Sequence, residues 1–362
     1  MMQQHLPIYL HQISRTTYAL FIMSMGLWLN TTTDAIAQIG GNNIYEFLNL
    51  PASPRITAFG GNQISVLDSD VSMGITNPSL YNSEMNGFLS VNNASYFSDI
   101  NQGYVGYAKH FDSLSINTTF SAGVQYISYG DFAGADATGM PTDNFNAGEY
   151  AFILGAGRKW RDFHYGANFK FISSNLENYT SLGYAVDAGI TYFRPESNFS
   201  LAFVAKNIGQ QLTTYDGGNE KELIPFELQL GLSKRLKYLP FRFSILAQNL
   251  QTWRIRYDDP NQQQVSIFGE PSQVNENDFM DNLMRHLVFS GELYMGKALR
   301  FRMGYNHLRR KEMAVDASRS FAGFSFGIGL HIKRLQLSYG RALHHLAGGT
   351  NHIGLGIRMG KL

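Results

Sequence analysis

Five histidines near the C-terminus are the residues best suited to chemistry: His307, His331, His344, His345 and His352. Imidazole is a common zinc ligand and a general base near neutral pH. A metal site would need two or three of these rings to meet a carboxylate. If this part of the chain is a strand, the adjacent His344 and His345 point to opposite faces. The pattern therefore favours rim or lumen histidines over a metal site.

Two short motifs match the letters of known sites but not their context. The run 323–327 reads Gly-x-Ser-x-Gly, yet it lies inside a strand pattern and not on a strand-to-helix elbow. Asp68-Ser69-Asp70 resembles part of a calcium loop that lacks its central Gly and distal Glu, so a solvated turn is expected. Cysteine is absent, which removes thiol catalysis and Cys-based zinc sites. The sequence predicts no catalytic residue, metal or cofactor.

The composition indicates many apolar and aromatic side chains and few charges. Charged residues are 16% of the chain, against roughly 25% in a typical soluble domain. The 36 glycines and 14% aromatic residues suit a barrel with one lipid-facing surface and a filled lumen. The net charge of +1 gives no electrostatic basis for binding nucleic acid.

Alternation of apolar and small or polar residues dominates the second half of the chain. Between 322 and 330 one face is apolar and the other is Gly and Ser, and the pattern recurs near 335–340 and 353–358. A period of two is the signature of a strand. A β-sandwich would show the same pattern with its apolar face inward.

About fourteen such segments are present, an even number as bacterial barrels require. They are predicted near 87–98, 101–110, 115–130, 148–160, 163–175, 183–193, 198–207, 225–236, 241–252, 284–296, 298–307, 320–331, 333–342 and 350–359.

The connections favour a barrel over a sandwich because long and short ones alternate. The longer ones are 131–147, 176–182, 208–224, 253–283 and 308–319, and the shorter ones are 161–162, 194–197, 237–240 and 297. Extracellular loops and periplasmic turns of outer-membrane barrels differ in this way. We therefore predict an all-β fold, a transmembrane antiparallel barrel over 87–362 in the outer membrane.

Residues 1–37 have the pattern of a signal peptide. Arg15 precedes an apolar stretch over 19–29, and Ala35-Ile36-Ala37 forms a small-x-small site before Gln38. The alternative is a buried N-terminal helix. No later segment is apolar over the roughly 18 residues that a membrane helix needs.

Residues 38–86 lack a period of two and contain breaker pairs, so we predict a plug segment inside the lumen. Short helices are expected at 44–50 and 55–59. The residues that mark the plug are Leu50, Pro51, Arg55, Gly60, Gly61, Asn77 and Pro78. A disordered periplasmic tail is the alternative.

The 253–283 loop is longer than a hairpin needs and is rich in residues that dominate protein interfaces. Its candidate partner contacts are Trp253, Arg254, Arg256, Tyr257, Asp258, Asp259 and Phe268. Trp253 by itself also suits an aromatic girdle at the membrane edge.

The run 45–55, Tyr-Glu-Phe-Leu-Asn-Leu-Pro-Ala-Ser-Pro-Arg, is followed by Ala58-Phe59-Gly60-Gly61 and by Asn77-Pro78-Ser79. Together these motifs resemble the PorV/PorQ family of the type IX secretion system and, more distantly, the long-chain fatty-acid transporters. Those barrels have fourteen strands and an N-terminal plug with an Asn-Pro-Ala stretch, where this chain has Ser79. The C-terminus also lacks the terminal aromatic residue of many barrels.

The resemblance implies a non-enzymatic role in a cell-surface attachment complex. The barrel would anchor a PorZ-type surface protein in outer-membrane lipid, beside a sortase-like transpeptidase and a PorV-type barrel, so that cargo is attached to lipopolysaccharide. The alternative is an outer-membrane transporter for a hydrophobic small molecule such as a fatty acid. A transporter needs an apolar lumen pocket. The inward faces are predicted to be mostly Gly, Ser, Arg and Gln, which favours a plugged, non-conducting barrel.

Overall fold

The computed structural model describes residues 43–113, 116–136, 138–255, 278–313, 321–345 and 348–359, with only the backbone of Asp278 and His345. The predicted signal peptide at 1–37 lies outside the described residues, and its cleavage stays a prediction.

Fourteen antiparallel strands form one closed barrel, in which β1 pairs with β14. This confirms the predicted architecture. The strands are β1 Phe88–Ser95, β2 Asn101–Asp112, β3 Asn117–Phe132, β4 Phe145–Trp160, β5 Phe163–Leu176, β6 Tyr179–Arg194, β7 Phe199–Thr213, β8 Glu227–Arg235, β9 Phe241–Ala247, β10 Leu287–Met295, β11 Leu299–Asn306, β12 Phe324–Ile332, β13 Leu335–His345 and β14 Gly348–Arg358.

Side chains alternate between the outside and the inside of the barrel. On β12, Phe326 and Ile328 are 45% and 38% exposed, whereas the adjacent Ser325 is fully buried. A closed barrel leaves no unpaired strand edge in lipid, and its apolar side chains can face hydrocarbon. The faces assigned from the sequence are therefore those that the fold presents.

Several strands extend beyond their predicted ends. β3 and β4 continue to Phe132 and Phe145, whose rings stack at 5.2 Å. β5 and β6 leave only 177–178 between them, so the predicted loop at 176–182 was wrong. The antiparallel ladders continue through the polar residues at these ends, because an antiparallel sheet tolerates polar side chains on a face in water.

Four α-helices are present in the described part of the chain: α1 Pro54–Ala58, α2 Met73–Thr76, α3 Asp278–His286 and α4 His307–Met313. Short 3-10 helices span Glu46–Asn49, Pro78–Leu80, Ser83–Met85 and Pro195–Ser197. The helical turns expected at 44–50 and 55–59 are thus close to observed elements. None of the described helices has the length and hydropathy to cross a membrane.

Helices α3 and α4 occupy connections that the sequence analysis treated as plain loops, so that expectation was wrong. Asp281 accepts from Arg285 one turn later in α3 at 2.7 Å, a spacing that supports a helix. Lys311 of α4 lies 3.5 Å from the same carboxylate. The ion pair between Lys311 and Asp281 joins the two helices at the long-loop end of the barrel.

The loop lengths predict that α3 faces the cell exterior and that Pro195–Ser197 faces the periplasm. The chain has no cysteine, so Met280→Cys and Ser197→Cys each supply a single thiol. Met280 is 59% exposed, and we expect a membrane-impermeant maleimide to label it on intact cells. Ser197→Cys should label only after the outer membrane is permeabilised. If only Ser197→Cys is labelled on intact cells, the barrel has the opposite orientation.

Candidate functional site

Residues 43–87, here called the inner segment, lie against the inner face of the barrel. Gln125 of β3 donates from Nε2 to the Phe47 carbonyl at 2.9 Å. On a distant strand, Ser233 of β8 donates to the Ser65 carbonyl at 2.8 Å. Buried backbone carbonyls need such partners, and inward polar side chains supply them. That the segment acts as a plug stays a prediction.

Helix α1 packs against glycine residues of β11 to β14. A Cβ added to Gly327 would lie 2.5 Å from Ala58 Cβ, and one added to Gly304 would overlap the Gly60 nitrogen. Real side chains do not approach so closely. The glycine faces that alternate with the lipid-facing residues therefore let helix backbone contact strand backbone.

The Asn77-Pro78-Ser79 motif is a buried turn fixed by hydrogen bonds. Asn77 Oδ1 accepts from the Ser79 nitrogen at 3.0 Å, and Asn77 Nδ2 donates to the Ile64 carbonyl at 2.6 Å. The Ser79 hydroxyl lies 2.6 Å from the Thr191 hydroxyl of β6. The residue that departs from the family pattern thus bonds the segment to the wall.

The other breaker residues of the motif set the course of the chain. Gly60 and Gly61 both have φ of +95°, a conformation that favours glycine. The Pro51 carbonyl accepts from Gln102 Nε2 at 3.2 Å, and Leu50 packs against the buried apolar cluster. These residues have structural roles in the described chain.

Arg55 is the centre of a buried ion network that joins the inner segment to the wall. Its guanidinium lies 2.5 Å from Asp68, 3.5 Å from Asp70 and 3.5 Å from Glu292 of β10. Glu292 also pairs with Arg302 of β11 at 2.9 Å. Removal of one partner from such a network leaves an uncompensated buried charge, which costs about 3–5 kcal/mol.

The network corrects the expectation of a solvated turn at 68–70. The side chains of Asp68 and Asp70 are only 19% and 14% exposed, and both face Arg55. Burial by itself would raise the pKa of Asp68, but the charge and hydrogen bonding of Arg55 lower it to about 2. Asp68 is therefore ionised at neutral pH. The sequence shows these groups, but not that they meet.

An apolar layer lies nearer the long-loop end of the lumen, between the inner segment and β3 to β5. The inner segment contributes Tyr45, Phe47 and Leu48 to this layer, and the wall contributes Ile127, Ile153 and Ile172. These six side chains are buried in one hydrophobic cluster. The expectation that inward faces are mostly Gly, Ser, Arg and Gln was wrong here. Inward side chains are apolar where the segment presents apolar rings to them.

The candidate partner loop is described only at its two ends. Trp253 stacks on His286 at 5.3 Å and packs on Phe279 at 5.2 Å. Trp253, Phe279 and Met280 are 47%, 64% and 59% exposed, and we call these three the outer patch. Arg254 is exposed. The remaining candidates lie outside the described residues: Arg256, Tyr257, Asp258, Asp259 and Phe268.

Three of the five candidate histidines have hydrogen-bond partners. His307 Nδ1 lies 2.9 Å from the Tyr305 hydroxyl. His352 Nδ1 lies 3.0 Å from the Thr57 hydroxyl, and His344 Nε2 lies 3.0 Å from the Thr350 hydroxyl. The side chain of His345 lies outside the described residues. Across the part of the chain that is described, no three His, Asp or Glu residues are grouped as metal ligands.

The Gly-x-Ser-x-Gly run has its serine inside β12. Ser325 is the second residue of that strand and is fully buried. A serine nucleophile of this motif needs an exposed strand-to-helix elbow. The local geometry is that of a lumen-facing strand residue.

No protein-family model and no curated protein matches the sequence. Among solved structures, the Pseudomonas putida toluene transporter TodX is 12% identical, with a TM-score of 0.49 over 85% of this chain and 96% of that chain. Outer membrane phospholipase A from Escherichia coli is 9% identical, with a TM-score of 0.28 over 76% of this chain and 90% of that chain. Identities this low do not carry a substrate or a reaction from those proteins to this one.

The close approach at Gly327 predicts that a single methyl group disturbs the lumen. Gly327→Ala should lower the free energy of unfolding by about 1–3 kcal/mol, the usual cost of overpacking. Its neighbour on the lipid face supplies the control, since Phe326→Leu keeps an apolar contact with hydrocarbon. Urea titration in lipid vesicles measures both. An equal effect of the two substitutions would contradict the packing of α1 on β12.

Proposed function

We propose that this chain is an outer-membrane transporter for a hydrophobic small molecule such as a fatty acid. The observation that carries the proposal is the apolar layer. Ile127, Ile153 and Ile172 line the lumen, where a water-filled barrel has polar side chains. Small-molecule sites are mostly apolar with a few polar groups. The wall beneath the start of the inner segment has that character.

In the described conformation the layer is closed, because none of its six side chains is more than 5% exposed. A neighbouring cavity, lined in part by Leu48, Leu50, Ile56 and Ile75, measures only about 10 Å³. Such a space holds at most one water molecule. Entry of a hydrophobic ligand therefore requires that part of the inner segment moves away from Ile127, Ile153 and Ile172.

The first residues of the inner segment are the part best suited to move. Tyr45 has φ of +58°, a strained conformation for a bulky residue that costs on the order of 1–3 kcal/mol. It is held by its hydroxyl contact with Ser181 and by the backbone bond from Ile44 to Leu223 at 2.9 Å. The later part, by contrast, is fixed by the buried charges around Arg55. Release of residues 43–50 would uncover the apolar wall while the rest stays in place.

A vestibule lies at the short-turn end of the barrel. Its volume is about 800 Å³, and its lining includes His110, Asp112, Lys159 and Tyr81. This volume is within the range of about 300–1,000 Å³ found for small-molecule sites. The polar lining favours a water-filled exit, with the apolar layer as the binding region.

A disulfide that locks the inner segment tests the proposal. Asn43 and Leu223 form a β-bridge, and bridge partners lie at a separation that a disulfide can span. In proteoliposomes, the rate of uptake of radiolabelled fatty acid by oxidised Asn43→Cys/Leu223→Cys should be about tenfold lower than that of the unmodified protein. Reduction of the disulfide should restore the rate. The matched control is Ala135→Cys/Pro141→Cys, a second isolated bridge within an outer loop, which should transport normally.

Two results would count against the proposal. Normal uptake by the oxidised lock would show that transport does not require residues 43–50 to move. No uptake by the unmodified protein above that of empty vesicles would remove the transporter function itself.

A second candidate is the anchor of a surface attachment complex, with a PorZ-type protein as partner. The outer patch supports it, because Trp253, Phe279 and Met280 are exposed together at the long-loop end. Aromatic residues and methionine are enriched in interface cores. Transpeptidase and PorV-type components would belong to the same proposed complex.

Phe279→Asp should abolish recovery of the PorZ-type protein from detergent extracts, because a charge would be buried in an apolar contact. Leu239→Asp is the control, since Leu239 is 60% exposed in the β8–β9 turn at the other end. Affinity purification followed by mass spectrometry measures the recovery. Undiminished recovery with Phe279→Asp would place any such contact elsewhere.

A further inference from the structure

Three arginines surround one tyrosine ring at the short-turn end of the barrel. The Cζ atoms of Arg235, Arg300 and Arg242 lie 4.2, 5.2 and 5.6 Å from the ring centroid of Tyr294. The Tyr294 hydroxyl donates to Glu292 at 2.6 Å, which fixes the ring. Guanidinium groups stack on aromatic faces, so the three cations lie close together around the Tyr294 ring.

The strand register makes this arrangement unfavourable without a counter-ion. Arg235 of β8 and Arg242 of β9 are direct partners in the ladder, and like charges placed opposite each other destabilise a sheet. Glu292 pairs with Arg242 at 3.3 Å but also binds Arg302. Among the described residues, no carboxylate forms an ion pair with Arg235 or Arg300. Asp68 attracts Arg300 electrostatically, but its own ion pair is with Arg55.

A cavity of about 230 Å³ lies beside these arginines. Its lining includes three arginines and one carboxylate, together with Asn198 and Ser200. The charged residues are Arg235, Arg242, Arg300 and Asp68, so cations outnumber the carboxylate. Ser200 is only 2% exposed, and its hydroxyl has no hydrogen-bond partner in the described part of the chain. A buried polar group without a partner is uncommon in a folded protein. Ser200 lines the cavity, so rotation of its side chain would let this hydroxyl donate to a ligand there.

We propose that this cavity binds a phosphate group presented from the periplasm. A phosphate monoester carries a charge of about −1.5 to −2 at pH 7 and three acceptor oxygens. It would neutralise both unpaired cations, Arg235 and Arg300, and accept a hydrogen bond from Ser200. A carboxylate would neutralise only one of them. Free phosphate, a soluble phosphate ester and a lipid headgroup share this chemistry.

The site is distinct from the apolar layer, so it does not depend on the proposed transport. It lies at the opposite end of the lumen and uses the ends of β8 to β11. Arg242 and Tyr294 also contact Glu292 of the buried ion network. Occupancy of the cavity is therefore expected to stabilise the end of the barrel where the inner segment is anchored.

Calorimetric titration of inorganic phosphate into the mature full-length protein in detergent, at pH 7 and fixed ionic strength, tests the proposal. We expect saturable binding that acetate does not reproduce. Arg235→Gln and Arg300→Gln should each weaken it about tenfold, the scale of a lost charged hydrogen bond. Arg334→Gln is the control, because Arg334 is exposed in the β12–β13 turn. The heat-dependent gel shift of a folded barrel verifies each variant.

The source of the phosphate is separated by competition. Tighter binding of short-chain phosphatidic acid than of inorganic phosphate would assign a lipid headgroup. Preference for glycerol 3-phosphate or inorganic phosphate would assign a soluble ligand. The proposal is overturned if the unmodified protein shows no saturable phosphate binding, if acetate binds as tightly, or if both arginine variants keep full affinity. The comparison with acetate needs no variant, so a misfolded variant leaves the test intact.

Discussion

The structure depends on the close approach of a non-strand segment to glycine-rich strands inside a closed barrel. Gly304, Gly327 and Gly340 leave room for α1, and a Cβ on Gly340 would overlap the Pro54 carbonyl. Fourteen strands enclose a lumen too wide to fill with wall side chains alone. The inner segment fills that space, and the glycines allow its backbone to reach the wall. The alternating pattern therefore serves lipid on one face and a second layer of chain on the other.

Because the inner segment packs directly on the strands, its buried polar groups need hydrogen-bond or ionic partners. The inward side chains of the barrel supply these partners, and their chemical character changes along the lumen. Nearer the long-loop end the contacts are apolar, around Tyr45 and Ile172. At the short-turn end they are ionic, around Arg55 and Glu292. The segment is thus anchored by charges at one end and held by apolar contacts and a strained residue at the other, which makes its first residues the more easily released part.

This gradient links the two proposals without making either depend on the other. Apolar packing at Ile127 and Ile153 can be exchanged for a hydrophobic ligand at little cost, because one apolar contact replaces another. The charges near Arg235 and Arg300 cannot be exchanged in that way. No described carboxylate forms an ion pair with either arginine, which favours binding of an anion. The lumen therefore has two chemically different surfaces, one apolar near the long-loop end and one cationic near the short-turn end.

The sequence alone determined the fold class, the approximate number of strands and the faces of several C-terminal strands, since these follow from a local period of two. Phe326 faces outward and Ser325 inward for that reason alone. Closure and register decided the rest. They bring Arg55 to Glu292 and place Arg235 opposite Arg242, pairs that no local pattern encodes. They also set hairpin ends, so that 177–178 replaces a longer expected loop. Local alternation fixes where a side chain points, whereas only tertiary structure fixes which side chain it meets.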